Sequence, residues 1–297
     1  MEKSLNQSKL RAWVQASRPP FFVATLVPLL IGWILARGEG WHGGRFLVII
    51  LAALMVHLAT NLANDYFEDK EGTDEGEAIG GSRVIQEGKI SSRAILRAIV
   101  ILYFIAFVAA FYLMIAFDLY GIAPLVLFAF LSSLFYVAPP LRYGYHGLGE
   151  IFVGINMGPV MVVGTYWVIA GRPDWKPLAI SVPVGLMVAS ILYYQSLPDM
   201  KTDILAGKYT LAVRLGKKGA YYGLILFFVL IYGSIAALVL LRFLSPAAIL
   251  SLFSIPLFRK MLMIVRTTDD WLLLDQYGKY VRILYFVNGL SIIAGLF

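Results

Sequence analysis

Nine apolar segments, each about as long as a bilayer core is thick, constrain this chain more than any other feature. A helix needs about 20 apolar residues to cross the hydrocarbon core, and in lipid its backbone groups must be satisfied within the protein. We therefore predict an all-α membrane protein whose nine transmembrane helices form one bundle, as two four-helix units plus a final helix. The predicted spans are residues 20–36, 46–66, 94–117, 119–138, 148–170, 177–197, 220–241, 245–266 and 280–297.

The composition supports a single membrane-embedded domain over residues 1–297. Hydrophobic residues make up 60% of the sequence, whereas soluble domains are nearer half apolar. The chain has no cysteine, which excludes disulfides, thiolate chemistry and iron–sulfur ligation. Its three histidines are scattered, and this argues against a zinc site.

The basic residues predict how the chain is oriented in the membrane. With nine spans, 20 of the 25 lysines and arginines fall on the side that holds the N-terminus and the loops after the even-numbered spans. This bias predicts a cytoplasmic N-terminus in a multi-pass protein of the cytoplasmic membrane. Because the net charge of +7 follows the loops, it does not indicate nucleic-acid binding. No obligate protein partner is evident.

Two acidic clusters mark the cytoplasmic ends of the second and sixth spans. The first holds Asp65, Glu68 and Asp69, with Asp74 in the loop beyond, and the second holds Asp199 and Asp203. Residues three or four apart on a helix share a face, so like charges would repel unless a cation lay between them. Mg²⁺ prefers carboxylate oxygens and often shares its shell with substrate phosphates. We therefore expect these six side chains to hold Mg²⁺ on the cytoplasmic side.

Basic residues near the two clusters complete a predicted diphosphate site. Arg83, Arg142 and Lys208 lie in cytoplasmic loops and could neutralise phosphate oxygens, with arginine favouring bidentate contact. Gln195 lies one helical turn before Asp199 and is expected to face the same chamber.

The motifs around these residues resemble the UbiA superfamily of intramembrane aromatic prenyltransferases. Residues 64–69 (Asn-Asp-Tyr-Phe-Glu-Asp) are similar to its first Asp-rich motif, and residues 199–216 are similar to its second. Further similar segments are residues 17–19 (Ser-Arg-Pro), 81–86 (Gly-Ser-Arg-Val-Ile-Gln), 139–143 (Pro-Pro-Leu-Arg-Tyr) and 147–150 (Gly-Leu-Gly-Glu). Members of this superfamily have nine spans.

The resemblance implies Mg²⁺-dependent transfer of a polyprenyl group from its diphosphate to an electron-rich aromatic ring. It assigns catalytic roles to Asp65, Asp199 and Asp203. Water must be excluded from the allylic cation, and the faces of aromatic rings can stabilise a cation. The substrate-binding residues implied or expected are Asn64, Arg83, Arg142, Lys208, Gln195 and the tyrosines Tyr136 and Tyr194, with Tyr66 as a further candidate.

Residues 72–74 (Gly-Thr-Asp) and 148–150 (Leu-Gly-Glu) most resemble the branch that prenylates 1,4-dihydroxy-2-naphthoate for menaquinone. Two positions depart from that branch. Glu68 stands where aspartate is usual, so that either Glu68 or the neighbouring Asp69 could be the metal ligand. Residues 195–198 (Gln-Ser-Leu-Pro) replace an Asn-Asn-x-Arg segment. A 4-hydroxybenzoate, glycerophosphate-lipid or haem- or chlorophyll-like acceptor therefore remains open.

Two other classes of membrane protein compete with this interpretation. Phosphatidyl-alcohol transferases also place aspartates at a membrane border, but their Asp-Gly-x-x-Ala-Arg start is absent from this sequence. A cation-coupled transporter would use similar carboxylates, yet transport sites usually lie near the bilayer midplane. The predicted position of both clusters at one border favours the prenyltransferase.

Overall fold

The computed structural model describes residues 2–40, 42–72 and 80–297, with side chains from Lys9 onward. Every regular element in these ranges is a helix. The α-helices are α1 (Glu2–Ser17), α2 (Phe22–Leu35), α3 (Gly43–Glu71), α4 (Ser92–Ala116), α5 (Ala123–Leu134), α6 (Gly149–Ile155), α7 (Met161–Ala170), α8 (Trp175–Ser196), α9 (Met200–Leu205), α10 (Leu211–Leu240), α11 (Ile255–Thr267) and α12 (Gly278–Gly295). Short 3-10 segments lie at Pro19–Phe21, Arg37–Glu39, Tyr120–Ile122, Tyr143–His146, Pro246–Ser254 and Trp271–Tyr277, and a π-helical turn at Asn156–Val160 joins α6 to α7.

Each of the nine predicted segments coincides with helix, but within the described ranges only seven helices are long and apolar enough to count as candidate spans. These are Lys9–Leu35, Gly43–Glu71, Ser92–Ala116, Gly149–Ala170, Trp175–Gln195, Leu211–Leu240 and Pro246–Thr267. The fourth predicted span is the shorter apolar helix Tyr120–Leu134. The ninth corresponds to α12, whose first turns carry Lys279 and Arg282. The structure therefore shows an all-helical protein with seven candidate membrane spans.

Helix α8 lies at the centre of the bundle and leads into the second acidic motif. It is the most buried of the candidate spans, because 72% of the residues in its most apolar stretch are buried. Glycines bring it into close contact with α6 and with the π-helical turn that joins α6 to α7. A Cβ at Gly158 would come within 2.7 Å of the Gly185 Cα, and a Cβ at Gly185 within 2.4 Å of the Gly154 carbonyl oxygen. Such small residues let membrane helices approach closely. This packing fixes the end of α8, and with it the start of α9.

Breaks in the helices bring the polar segments to one end of the bundle. Arg18, between α1 and the proline pair that precedes α2, has a φ of 51°, and α3 ends at Gly72 with a φ of 69°. Glycine readily adopts such left-handed geometry at a helix C-terminus. After α8 the chain forms the short helix α9. At Gly207, which has a φ of 71°, the chain then turns toward α10.

Candidate active site

The two acidic motifs meet at one partly buried lysine. Lys208 Nζ lies 3.0 Å from Glu68 Oε1, near the end of α3, and 3.5 Å from Asp203 Oδ1, in α9. These carboxylate side chains are only 8% and 5% exposed. The shared ammonium offsets the repulsion between two buried anions. Because the motifs come from opposite halves of the sequence, this contact places both at the same site.

Asp65 is held by a second, separate set of donors. Its carboxylate, 2% exposed, forms an ion pair with Arg18. It also accepts hydrogen bonds from the Ser82 hydroxyl and, at 2.9 Å, from the Ser82 backbone N–H. The Gln15 amide donates to the Ser82 carbonyl at 2.7 Å, so α1 fixes the loop that covers Asp65. Burial of a charged group is costly unless it is paired and hydrogen-bonded in this way.

Three arginines near the first motif adopt backbone conformations that side-chain-bearing residues rarely adopt. Arg18, Arg83 and Arg142 have φ values of 51°, 59° and 40°. Left-handed backbone is uncommon for residues other than glycine, and strain of this kind clusters at functional sites. Arg142 pairs with Glu71 in the last turn of α3, and Arg83 directly follows Ser82. Arg18 and Arg142 therefore bring cations to the acidic end of α3, while Asp118 and Arg242 adopt similar backbone conformations elsewhere.

Asp69 and Asp199 are two further predicted metal ligands that lie in the acidic motifs. Asp69 accepts a hydrogen bond of 3.1 Å from the Ser92 hydroxyl, at the start of α4. Asp199 immediately precedes α9, and its backbone carbonyl accepts from the Asp203 N–H at 2.8 Å. Asp74 lies outside the described residues. The sequence left open whether Glu68 or Asp69 is the metal ligand, and both lie near the end of α3.

An apolar cavity of about 360 Å³ opens beneath this polar end. Its upper wall includes Arg18, Asn61, Asn64, Tyr136 and Gln195, so both acidic motifs contribute a neighbouring amide to the rim. Below the rim, α2 to α8 supply mostly aliphatic and phenylalanine side chains. Largely apolar pockets with a few placed polar groups are typical of small-molecule sites.

The two predicted tyrosines have different positions. Tyr136 lines the cavity, and its ring packs on Gly144, where a Cβ would lie 3.0 Å from the ring. Tyr194 is 1% exposed and donates a hydrogen bond of 3.0 Å to the Leu274 carbonyl. It is not among the cavity-lining residues, because its position on α8 faces the C-terminal helices. The structure therefore places Tyr194 in the core and not at the chamber.

The electrostatics of the site couple the two motifs. Burial raises the pKa of Asp203 to about 6; Lys208 opposes this shift, whereas Asp199 and Glu68 add to it. For Lys208, burial acts to lower the pKa, but Glu68 and Asp203 outweigh it and hold the pKa well above its usual value. The ammonium therefore stays charged, while Asp203 can take up a proton under mildly acidic conditions.

We expect Mg²⁺ binding to weaken as the pH falls through 6. A raised pKa means that Asp203 is neutral in more molecules at low pH, and a proton then competes with the metal for its oxygens. The half-saturating Mg²⁺ concentration should rise by up to about tenfold per pH unit below 6, since one proton is released. Thermal-shift titrations between pH 5 and 8 measure this. Asp203→Asn should flatten the profile; an unchanged slope in that variant would contradict the assignment.

The donor atoms at this site suit a hard divalent cation. Glu68 and Asp203 bring carboxylate oxygens together, and Asn64 Oδ1 is buried without a hydrogen-bond partner in the described part of the chain. Mg²⁺ prefers such oxygen ligands. Among residues 9–40, 42–72 and 80–297, no three acidic, histidine or cysteine side chains form a ready metal cluster. Lys208 and Arg18 lie against the carboxylates instead.

The fold is that of the intramembrane UbiA homologues. The structure of a UbiA homologue from Aeropyrum pernix K1 matches with a TM-score of 0.69 at 18% identity, over 92% of this chain and 98% of that one. A UbiA homologue from Archaeoglobus fulgidus, solved with DMAPP and Mg²⁺, matches with a TM-score of 0.63 at 15% identity, over 95% and 99% of the two chains. At these identities the likeness defines the fold alone.

Sequence similarity then gives the family. Residues 25–270 match the UbiA prenyltransferase family. A 1,4-dihydroxy-2-naphthoate octaprenyltransferase from Haemophilus influenzae is 32% identical over 83% of this chain and 81% of its own length. A 2-carboxy-1,4-naphthoquinone phytyltransferase from Synechocystis is 31% identical over 70% and 67%. This chain belongs to the UbiA prenyltransferase family, as the sequence motifs predicted.

The sequence did not identify several residues that build the site. Arg18 was noted only as part of a Ser-Arg-Pro segment, and a residue before proline is ordinarily extended, so its left-handed backbone could not be read from the sequence. Ser82 and Gln15 carry no pattern that links them to Asp65. Their roles depend on long-range contacts.

Proposed function

We propose that this protein transfers a polyprenyl group from its diphosphate to an aromatic acceptor, 1,4-dihydroxy-2-naphthoate, in menaquinone biosynthesis. The observation that carries the proposal is the convergence of Glu68 and Asp203 on Lys208, directly above an apolar cavity. Charged groups at the rim suit the diphosphate, and the apolar chamber suits the isoprenoid. The names of relatives from Haemophilus influenzae and Synechocystis support a naphthoate acceptor.

The residues that would hold Mg²⁺ are those of the two acidic motifs. Asp65, Glu68, Asp69, Asp199 and Asp203 supply the oxygen ligands, and Asp74 is a further candidate in the loop. When bound, the metal supplies positive charge that offsets the charge developing on the leaving diphosphate. The Archaeoglobus fulgidus homologue solved with DMAPP and Mg²⁺ supports this pairing of metal and diphosphate.

Basic side chains of the chain itself bind and orient the diphosphate. Lys208, Arg83 and Arg142 were predicted for this role, and Arg18 joins them because it lies both against Asp65 and on the cavity wall. Lys208 and Arg18 would exchange part of their carboxylate contact for phosphate oxygens once substrate and metal arrive. Preorganised charges of this kind are usually the largest source of rate enhancement.

The cavity protects the reaction from water. The C–O bond to diphosphate breaks with its electron pair leaving on oxygen, and a ring carbon of the acceptor forms the new C–C bond. The ring then regains aromaticity when that carbon loses its proton, which the released diphosphate can accept, or its carboxylate as CO2. An allylic cation exposed to water would be captured as an alcohol. Tyr136 lies at the rim, where its ring can stabilise the cation. Asn64 and Gln195, from the two motifs, flank the same opening.

We further propose a nine-span, single-domain topology over residues 1–297 in the cytoplasmic membrane. The short helix Tyr120–Leu134 and α12 would complete the seven candidate spans. The positive-inside bias supports a cytoplasmic N-terminus and an active site facing the cytoplasm. Soluble Mg²⁺ and an aromatic acid are available there, and the lipid bilayer supplies the isoprenoid substrate.

The direct test is incubation of purified protein with geranylgeranyl diphosphate, Mg²⁺ and a panel of aromatic acids, followed by mass analysis. We expect a prenylated product from 1,4-dihydroxy-2-naphthoate that forms with Mg²⁺ and disappears with a chelator. The panel includes 4-hydroxybenzoate, so that a different acceptor is recognised. Absence of any prenylated product across the panel would contradict the aromatic acceptor, and product with the chelator present would contradict the metal.

A further inference from the structure

In the described part of the chain, two polar groups line the cavity below its rim with incomplete hydrogen bonding, the His57 ring and the Thr165 hydroxyl. His57, on α3, lines the chamber and lies two helical turns below Asp65. Its Nδ1 is 2.6 Å from the Thr25 hydroxyl on α2, and its ring makes an edge contact with Phe22 at 5.6 Å. Two contacts from α2 thus fix the ring, while the structure gives its Nε2 no hydrogen-bond partner in the described part of the chain.

Two other polar side chains of the cavity wall, Thr60 and Asn156, use their hydrogens within the protein. The Thr60 hydroxyl donates to the Val56 carbonyl at 2.8 Å. The Asn156 amide donates to the Ser132 hydroxyl at 2.8 Å and to the Phe152 carbonyl at 2.8 Å. Buried polar groups are normally paired in this way. His57 differs from them because a ring nitrogen on the cavity wall is left for a ligand.

The contact with Thr25 determines which nitrogen carries the proton. Thr25 is fully buried, and among the described residues its hydroxyl oxygen has His57 Nδ1 as its hydrogen-bond partner. A hydroxyl hydrogen placed on Nδ1 leaves the proton of a neutral imidazole on Nε2. The ring therefore presents an N–H donor, and it faces a largely apolar chamber.

The position of His57 relative to the diphosphate rim fits an acceptor. The seven residues from His57 to Asn64 span about 10 Å along α3, and both residues line the cavity. This distance can hold, in succession, the reacting carbon of the isoprenoid, the aromatic ring of the acceptor and a hydrogen bond to an oxygen on that ring. The facing wall from α4 and α5 is lined by Ala106, Phe107, Val126 and Phe130, which suits the isoprenoid.

We propose that His57, oriented by Thr25, donates a hydrogen bond from Nε2 to a hydroxyl or carboxylate oxygen of the aromatic acceptor and so positions its ring against the allylic carbon. The inference rests on the proposed prenyl transfer and assigns the acceptor side of that site. His57 is a positioning residue here, because the bond-breaking step uses the charged rim above it.

The test compares Michaelis constants for the two substrates. In His57→Phe the KM for 1,4-dihydroxy-2-naphthoate should rise about tenfold, the usual effect of losing one buried hydrogen bond, while the KM for geranylgeranyl diphosphate stays unchanged. His57→Gln keeps an N–H donor and should recover most of the loss. Thr25→Val keeps the shape of the side chain but no longer fixes which ring nitrogen of His57 carries the proton. It should raise the KM for the acceptor by a smaller factor.

Ser190→Ala is the matched control, because it removes one buried hydroxyl from α8 at a position that does not line the cavity; both KM values should stay at wild type. Equal changes in both KM values in the His57→Phe and Thr25→Val variants, or an unchanged acceptor KM in folded His57→Phe, would overturn the proposal. Failure of the proposed function looks different: the wild-type protein itself would then prenylate no aromatic acid.

Discussion

Replacing Asp65 by asparagine is expected to lower Mg²⁺-dependent prenyl transfer about 10³-fold. The carboxylate is buried at the end of α3, where Arg18 and Ser82 fix its oxygens. Asparagine keeps the shape but removes the charge that a divalent cation requires, and removal of one preorganised electrostatic contact typically costs about 10²–10³ in rate. Product formation per mole of folded protein, measured by mass spectrometry with saturating geranylgeranyl diphosphate, checks this value.

Two comparisons separate this effect from misfolding. Glu39→Gln makes the same change of charge at an exposed residue that pairs with Arg172, and it should retain wild-type turnover. Asp65→Asn should still elute as a monodisperse species in detergent. Turnover above one tenth of wild type in folded Asp65→Asn would exclude a catalytic role for this carboxylate.

Replacing Lys208 by methionine is expected to destabilise the metal-free protein by about 3–5 kcal/mol, the usual cost of removing one partner from a buried ion pair. Glu68 and Asp203 would then face one another without the ammonium they share. Mg²⁺ should restore much of this loss, because a ligand that binds only the folded state stabilises it by about 2.7 kcal/mol at 100 times its Kd. Thermal unfolding with and without Mg²⁺ measures both effects.

Lys201→Met is the matched control, since Lys201 is exposed in the same short helix as Asp203. Its melting temperature and its response to Mg²⁺ should follow wild type. Adding Glu68→Gln to Lys208→Met removes one of the two uncompensated charges and should recover part of the lost stability. If Lys208→Met melts at the wild-type temperature in metal-free buffer, the two acidic motifs are not coupled through this lysine.

The sequence predicted much of the architecture because membrane insertion depends on local composition. All nine apolar segments proved helical, and both acidic motifs lie at one end of the bundle. The structure does not confirm the prediction of nine spans, because the helix Tyr120–Leu134 is short and α12 begins with charged residues. Length and hydropathy identify a helix that could cross a bilayer by itself. A helix that packs against neighbours in a bundle can be shorter or more polar.

The site was predicted less completely. Spacing alone left Glu68 and Asp69 equivalent, because positions three and four residues beyond Asp65 both lie near its face. The contacts with Lys208 and Ser92 then gave them different partners. Tyr194 was expected at the chamber, but it faces Leu274, and no pattern along α8 distinguishes its two sides because the helix is buried all round.

The amino-acid sequence by itself determined that this chain is a helical membrane protein with two acidic motifs and the family to which it belongs, since hydrophobic length and motif residues are local properties. Only the tertiary structure decided that Glu68 and Asp203 share Lys208, that Arg18 secures Asp65, and that His57 faces the cavity. Those contacts join segments far apart in the chain, and helix packing, not local preference, sets the distances between them.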